Sequence, residues 1–443
     1  MEALIHDVAG IGIGPFNLGF AALSDNLPLR TIFFEQRPAF HWHPGMMIEN
    51  TTLQVPFIAD LVSAADIRSP YSFLHYLQEH GRLYQFCIKE SFHITRKEYN
   101  DYCNWVIGQL PQCHFSHRVE SVHYHTEQEY YEITVSDLIH RQVRTYAARK
   151  LLLGVGTVPQ LPAFAASCTR ECVFHSSEYL RRKKYIPEGA TVTIVGSGQS
   201  AAEIFYDLLQ GMDDRSLKLN WLTDAERFFP MENSKLTFEL TSPDYLNYFY
   251  ALSPEKKESV LGSQYMLYKG INQELIDAIY DTLYLKQVHD GKAPEVSIRA
   301  NCRVEAIEGS QKEGFALRCW HTEMEQHFSL PSHIVILATG YKYETPGFLN
   351  ALGSRIRTDA KGRLLAAKNF AVDRNGNEVF ASNAAIHSHG FLTPDLGMGP
   401  YRNATILNSI LGKTHFRLDQ RIAFQEFGIP GFTPKPAYEP VLA

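Results

Sequence analysis

Asp7-Val8-Ala9-Gly10-Ile11-Gly12-Ile13-Gly14-Pro15-Phe16-Asn17-Leu18 lies near the start of the chain, and Thr191-Val192-Thr193-Ile194-Val195-Gly196-Ser197-Gly198-Gln199-Ser200-Ala201-Ala202-Glu203 repeats its theme further on. In each stretch a short apolar run meets two glycines one residue apart, and helix-forming residues follow. That is the strand–turn–helix context a dinucleotide fingerprint requires. Gly12 allows the tight turn, and Gly14 lets the backbone approach a pyrophosphate closely. Asn17 stands where a third small residue usually packs helix on strand. Pro15 falls in the first helical turn, where its missing N–H is not needed. The remaining free N–H groups of that turn point at the phosphates.

Outward from the first loop, the apolar run Leu29 to Phe34 ends at Glu35, about 20 residues on, where an acid accepts from a ribose hydroxyl. In the second loop Gly196, Gly198 and Ala201 fill the three positions, with Gln199 and Ser200 opening the helix. A strand over Leu217 to Leu222 follows and ends in Thr223-Asp224-Ala225-Glu226-Arg227. A ribose 2′-hydroxyl asks for an acid here and a 2′-phosphate for a base. The segment offers both signs, and Arg227 points to NADPH. Two such loops in one chain predict two dinucleotides in adjacent domains, as in a flavoprotein reduced by a nicotinamide cofactor.

The expected fold is therefore α/β, with two Rossmann-like dinucleotide-binding domains and a helical substrate-binding part. The first domain spans residues 1–165, and the second spans 166–331 with a helical insertion at about 230–290. Residues 332–443 return to the first domain and carry a C-terminal substrate-site segment. Lys150 to Pro159 reads as a buried strand running into a glycine turn. Ser332-His333-Ile334-Val335-Ile336-Leu337-Ala338-Thr339-Gly340-Tyr341 repeats that pattern and marks the return. Ala278 to Lys286 is apolar at helical spacing.

Composition excludes several classes. A chain of 443 residues is long enough for two or three domains. Its 45% hydrophobic and 20% charged content suits a soluble globular protein. The net charge of −6 argues against nucleic acid as a partner. Seven cysteines (Cys87, Cys103, Cys113, Cys168, Cys172, Cys302, Cys319) form no CxxC pair and no zinc spacing, which suits reduced thiols in a cytoplasmic enzyme. A flavin disulfide reductase would need a redox cysteine pair beside the flavin. No secretory signal is expected, and no membrane span. His41-x-His43, His123-x-His125 and His387-x-His389 place paired imidazoles on one face, but no further ligands stand nearby, so no metal is expected.

These residues together resemble the flavin-dependent N-hydroxylating monooxygenases of siderophore biosynthesis, the lysine and ornithine N-hydroxylase group, over nearly the whole chain. The first loop has that group's GxGPxN form. His41-Trp42-His43-Pro44-Gly45-Met46 is similar to its WHPGM element beside the flavin. Leu53-Gln54, Asp60-Leu61-Val62-Ser63, Ser69-Pro70-Tyr71-Ser72-Phe73, Phe174-His175-Ser176, the second loop, Ala338-Thr339-Gly340-Tyr341 and Ser388-His389-Gly390 follow in order. The resemblance implies FAD in the first domain and NADPH in the second. NADPH reduces FAD, oxygen adds at C4a to give a hydroperoxyflavin, and a neutral primary amine attacks the distal oxygen. The cofactor carries the hard chemistry, while the protein supplies position and a dry pocket. Gln54 is the catalytic candidate, able to donate to or accept from the flavin or the hydroperoxide. Trp42 and His43 belong to a turn bringing backbone close to the isoalloxazine, and Thr339 and Gly340 could bring N–H groups to the flavin edge. The partners implied are an amine and O2, with a homo-oligomer, dimer or tetramer, by family analogy.

The chain departs from the amino-acid hydroxylases where their substrate head group binds. Their lysine before Asp-Leu-Val-Ser, which grips the substrate carboxylate, is here Ala59. A family asparagine or aspartate corresponds to Phe238, and the family's Leu-Ser becomes Leu396-Gly397, preceded by Asp395. A carboxylate buried without a cationic partner is costly. The simplest account is a diamine, putrescine or cadaverine, with Asp395 holding the distal ammonium and Glu239 or Glu232 as alternatives. Phe238 and Tyr248 would wall the methylene chain. The competing account is L-lysine or L-ornithine, its carboxylate held elsewhere, for instance by Arg402 or Lys269.

Overall fold

A computed structural model describes residues 4–165, 171–232 and 234–432; Cys168 lies outside them. Two sheets carry the two loops. In the first, the strands run in the order Cys113–Phe115, Thr31–Glu35, Ile5–Ile11, Gln142–Leu153, Tyr130–Asp137 and His117–His125, with Val379–Ala381 also paired to Gln142–Leu153. The strands on the Cys113–Phe115 side are parallel, with Gly10 beside Phe33 on one hand and Leu152 on the other. Gln142–Leu153 divides its length: its first part is antiparallel to Tyr130–Asp137, and its end is parallel to Val379–Ala381. Burial on both faces accounts for the unbroken apolar runs at Val8 to Ile11 and Leu151 to Leu153.

The second sheet is wholly parallel, in the order Val296–Arg299, Lys218–Leu222, Thr191–Val195, Ile334–Leu337 and Val173–His175. A three-stranded antiparallel meander (Cys302–Ser310, Gly314–His321, Gln326–Ser332) is added to it. Here the structure differs from the sequence reading. Ile334–Leu337 was expected to open the return to the first domain, yet it lies inside the second sheet between Thr191–Val195 and Val173–His175. A buried apolar strand ending in a glycine turn reads alike in either sheet, so pairing alone places it. The chain crosses back just after it, where Tyr341–Lys342 pairs with Val158–Pro159.

Helices Lys235–Phe238, Pro243–Ala251, Pro254–Ser263, Met266–Lys269 and Gln273–Asp290 form the helical part. Two of them start identically. Ser242 and Ser253 accept from Tyr245 N and Lys256 N at 3.1 and 3.3 Å, with proline following and an acid in the first turn. Helix Pro15–Ser24 is buried from Asn17 to Ser24 and is covered by Gly399–Leu411, whose Asn403 Nδ2 donates to Phe16 O at 2.9 Å. That packing joins the C-terminal helix to the first glycine loop.

Candidate active site

The two glycine loops have the same backbone shape. Gly12 and Gly196 take φ of +90° and +136°, and a Cβ on either would stand 2.6 Å from Gly154 O or 2.3 Å from Ala338 O. Only glycine fits both demands. Gly14 and Gly198 are extended, at φ −91° and −88°, and serve as N-caps of Pro15–Ser24 and Gln199–Gln210 without a side-chain cap. A Cβ on Gly14 would meet nothing within 4 Å, and one on Gly198 only Lys269 O at 3.5 Å. Each helix thus presents uncapped N–H groups across a cradle that a side chain would fill. That is the geometry a pyrophosphate needs.

Asn17 and Glu35 hold the first loop. Asn17 Nδ2 donates to Gly12 O at 2.9 Å and Leu152 O at 3.3 Å, while its Oδ1 accepts from Ser382 Oγ at 2.8 Å. A fully buried side chain spent on protein partners positions the loop from beneath. Its place in the fingerprint carried no such signal. Glu35 accepts from Ile13 N at 3.0 Å and Arg37 N at 2.9 Å. Ala201 is buried, as close packing of helix on strand requires, and Ser200 is half-buried.

The Trp42–Met46 turn stands at the crossing between domains. His43 is left-handed, at φ +49°, and its carbonyl accepts from Met46 N at 2.8 Å. Gly45 abuts Ser177, whose carbonyl oxygen a Cβ there would meet at 1.8 Å. Trp42 leans on Tyr99, and the His43 ring meets Tyr341 edge-on at 5.9 Å. His43 keeps part of its surface open, yet loss of hydration in the crowded cleft, with Arg96 and Arg37 adding repulsion, holds its pKa at about 4. It is therefore a neutral imidazole near pH 7. Thr339 Oγ1 donates to Gln160 O at 2.6 Å, and Gly340 O accepts from Gln160 N at 2.9 Å with His175 Nε2 at 3.0 Å. Both residues thus knit the crossing together.

Gln54 reaches the second loop. Its Nε2 donates to Asn272 Oδ1 at 2.9 Å and lies 3.4 Å from Gln199 Oε1, which also accepts from Asn272 N at 2.9 Å. Gln199 Nε2 donates to Glu203 Oε1 at 2.9 Å, and Glu203 is gripped by Arg96. Asn272 and Arg96 escaped the sequence reading, and Glu203 entered it only as the last residue of the second loop stretch: nothing in the spacing points from any of them to the others.

The substrate candidates divide. Ala59 is buried on the approach to Asp60, whose carboxylate accepts from Val62 N, Ser63 N and Phe73 N at 3.0, 2.7 and 2.8 Å and so fixes the segment. A Cβ on Gly397 would lie 3.6 Å from the Ala59 Cβ and 3.0 Å from Asp395 Oδ1. Ala59, Asp395 and Gly397 therefore meet. Asp395 accepts from Met398 N at 3.2 Å, and burial holds its carboxyl above the usual range despite that bond and the charge of Arg402. Arg402 is wholly buried, stacked 4.1 Å over the Phe16 ring, and donates from Nη1 to Thr393 O at 2.7 Å. Its Nε and Nη2 have no hydrogen-bond partner among the described residues, and burial lowers its pKa to about 9.

The other candidates are engaged elsewhere. Glu239 is half-buried and accepts from Phe424 N and Gln425 N, both at 2.9 Å. Glu232 is exposed and accepts from Thr237 Oγ1 at 3.3 Å. Phe238 is largely exposed on the short helix Lys235–Phe238. Lys269 lies over the Tyr268 ring. Arg227 pairs with Glu226 at 2.8 Å on the surface. An acid beside free backbone N–H groups is drawn to them, which spacing along the chain does not reveal. Among the described residues no cluster of three or more His, Cys, Asp or Glu could hold a metal ion, and no helix is long and apolar enough to cross a membrane.

The family profile of L-lysine 6-monooxygenase/L-ornithine 5-monooxygenase matches residues 4–343. A putrescine N-hydroxylase of Acinetobacter baumannii is 45% identical over 424 residues, 96% of this chain and 94% of its own. DfoA, the desferrioxamine-pathway cadaverine monooxygenase of Erwinia amylovora, solved with FAD, superposes at TM-score 0.93 and 42% identity, covering 97% of this chain and 100% of that one. The ornithine N-hydroxylase KtzI of Kutzneria sp. 744, solved with reduced FAD, NADP+ and L-ornithine, superposes at TM-score 0.84 and 25% identity over 92% of this chain and 99% of that one. With its two glycine loops, its WHPGM turn and these relatives, the chain belongs to the L-lysine 6-monooxygenase/L-ornithine 5-monooxygenase family of N-hydroxylating enzymes.

Proposed function

We propose that this enzyme N-hydroxylates one end of an aliphatic diamine, putrescine or cadaverine, with FAD and NADPH as cofactors, in hydroxamate siderophore biosynthesis. The observation that carries the substrate class is the meeting of Ala59, Gly397 and Asp395. A carboxylate substrate finds no lysine there, and an ammonium finds an acid.

The first loop, with the N-terminus of Pro15–Ser24, would hold the FAD pyrophosphate, and Glu35 its ribose. The Gly196–Gly198 loop and the start of Gln199–Gln210 would hold NADPH, and Arg227, swung from Glu226, its 2′-phosphate. Bound together, the cofactors supply electrons and activated oxygen. The chain's own task is to place one amine beside the flavin as a neutral NH2 with its lone pair free. A dry pocket favours that neutral form. Gln54 suits the contact: Asn272 and Gln199 occupy its NH2, which leaves Oε1 to accept from the amine N–H. Asp395 would keep the far amine as an ammonium and set the reach of the methylene chain.

Hydroxylamine formed per NADPH consumed, measured with putrescine, cadaverine, lysine and ornithine, tests this reading. Coupled turnover of a diamine is expected, and peroxide without product from the amino acids. The second reading, lysine or ornithine, draws on the two unpartnered N–H groups of Arg402. Coupled turnover of an amino acid, with none on the diamines, would select it. We assign the enzyme to the cytoplasm, where NADPH is supplied and its cysteines stay reduced. We also assign it a homo-oligomeric state, dimer or tetramer, supported by the exposed Tyr280, Tyr284, Leu285 and Val288 on Gln273–Asp290. Light scattering of the purified protein tests the latter.

A further inference from the structure

After helix Gly399–Leu411 the chain is folded back on itself. Asn408 Oδ1 accepts from His415 N and Phe416 N, both at 2.9 Å, and its Nδ2 donates to Phe416 O at 2.8 Å. The segment then runs over the helical part without regular secondary structure. Two carboxylates of that part receive four consecutive backbone N–H groups. Asp244 Oδ2 accepts from Ile422 N at 2.9 Å and Ala423 N at 3.3 Å. Glu239 accepts from Phe424 N on Oε1 and Gln425 N on Oε2, both at 2.9 Å. The Gln425 side chain adds a bond from Nε2 to Leu236 O at 2.6 Å and another to Glu239 Oε2 at 3.0 Å. Four successive N–H groups with no ladder partner would otherwise be left to water. Charged acceptors make these the stronger kind of hydrogen bond.

Just beyond these clasps, Phe427 packs edge-on against Tyr245 at 5.2 Å and lies 6.2 Å from Tyr248. Tyr245 in turn contacts Phe391 at 6.2 Å, and Phe391 stacks flat on Tyr268 at 5.8 Å. Phe391 leads within four residues to Asp395. The segment therefore caps a row of aromatic rings that includes Phe391, on the turn leading to the proposed ammonium anchor.

We infer that residues 419–432 form a strap over the amine site, with Glu239 and Asp244 as its clasps and Phe427 as its plug. Glu239 is then a positioning residue, acting through the strap on Tyr245 and Tyr248. The inference rests on the reading that these helices wall the amine pocket. Its consequence is chemical: a closed strap keeps water from the aromatic wall, so reduced flavin is spent on the amine and not lost as hydrogen peroxide.

The test uses the full-length holoenzyme and the variants Glu239→Gln, Asp244→Asn and Phe427→Ala. Hydrogen exchange should show the amides of residues 422–425 protected in the unaltered enzyme and released by the Glu239 and Asp244 changes. KM for putrescine should rise roughly tenfold, peroxide per NADPH should rise with it, and flavin reduction by NADPH should stay within about twofold. Phe427→Ala, which leaves both clasps in place, should raise KM and peroxide alike. Unprotected amides in the unaltered enzyme would overturn the inference. So would released amides with KM and peroxide yield unchanged. If lysine proves to be the substrate, the diamine reading falls, while a raised KM for lysine in Glu239→Gln leaves the strap standing.

Discussion

Arg96 grips Glu203 with both terminal nitrogens, at 2.6 and 2.8 Å, and its Nη1 also donates to Met46 O at 3.1 Å. One guanidinium thereby ties the helix of the second loop to the turn beside the first. The side chains are 13% and 3% exposed, so both charges are deeply desolvated. Burial outweighs Arg96 and leaves the Glu203 carboxyl above its usual range, so at neutral pH the ionised pair is no net source of stability. Removing one partner is another matter. Glu203→Ala should cost ~3–5 kcal/mol in urea unfolding, because Arg96 is left buried and unpaired. Arg96→Met with Glu203→Leu should recover most of that loss. A double variant as unstable as Glu203→Ala would refute this.

The four loop glycines should separate cleanly. Gly14→Leu should keep the fold to within ~1 kcal/mol, since the new Cβ meets no atom within 4 Å, yet it should abolish FAD retention by filling the cradle. Gly198→Leu should spare FAD and slow reduction by NADPH while dithionite still bleaches the flavin. Gly12→Ala should lose ~1–3 kcal/mol even without cofactor, because φ is +90° and Gly154 O stands 2.6 Å from the new carbon. Stoichiometric FAD in folded Gly14→Leu would remove the first loop from the flavin site.

Acid should weaken the fold through His389. This ring is fully buried, stacked on Phe370 at 4.4 Å and near Tyr250 at 5.1 Å. Burial first, with repulsion from Lys257 and Arg402, lowers its pKa to about 3. The unfolded chain takes up the proton near pH 6.5 and the folded one does not. Stability from this residue is therefore complete above about pH 6.5 and falls as the pH drops toward 3, by up to ~1.4 kcal/mol per unit. His389→Gln should flatten that limb in denaturant titrations run from pH 7 to 4. An unchanged slope would assign the acid sensitivity to other groups.

The loops were legible because glycine spacing reports backbone shape directly, and Gly12, Gly14, Gly196 and Gly198 each do what a dinucleotide turn asks. The meeting of Ala59, Asp395 and Gly397 was legible only against the family pattern. What stayed hidden is pairing across long stretches of chain. Ile334–Leu337 looks the same whichever sheet receives it. Glu239 looks like any surface acid until the C-terminal segment lies across it. Arg96 and Asn272 carry no motif, since a hydrogen bond between residues of different domains leaves no period in the sequence.

On the proposed reading, coenzyme choice turns on Arg227. It is exposed and bridged only to its neighbour Glu226 at 2.8 Å, so it can turn to a 2′-phosphate at little cost. Arg227→Ala should narrow the preference for NADPH over NADH roughly tenfold or more, with FAD content unchanged. An unaltered preference would move the phosphate contact elsewhere in residues 223–227.

The substrate prediction is the sharpest. Asp395→Ala should weaken putrescine use roughly 30-fold or more, since losing one partner of a buried charged contact costs ~2–5 kcal/mol, while NADPH still reduces the flavin at its usual rate. pH gives an independent check. The ammonium needs the ionised carboxyl, and burial raises the pKa of Asp395 in the free enzyme. Diamine kcat/KM should therefore fall on acidification at a pH above the ordinary carboxylate range, and Asp395→Asn should lose that limb. Ala59→Lys gives a further check, because the Ala59 Cβ and the Asp395 carboxylate both flank Gly397. An ammonium built there would neutralise Asp395 and repel a diamine, so diamine KM should rise and lysine should begin to be hydroxylated. Coupled diamine turnover untouched by both Asp395→Ala and Ala59→Lys would show that the far amine is held somewhere else in the cleft.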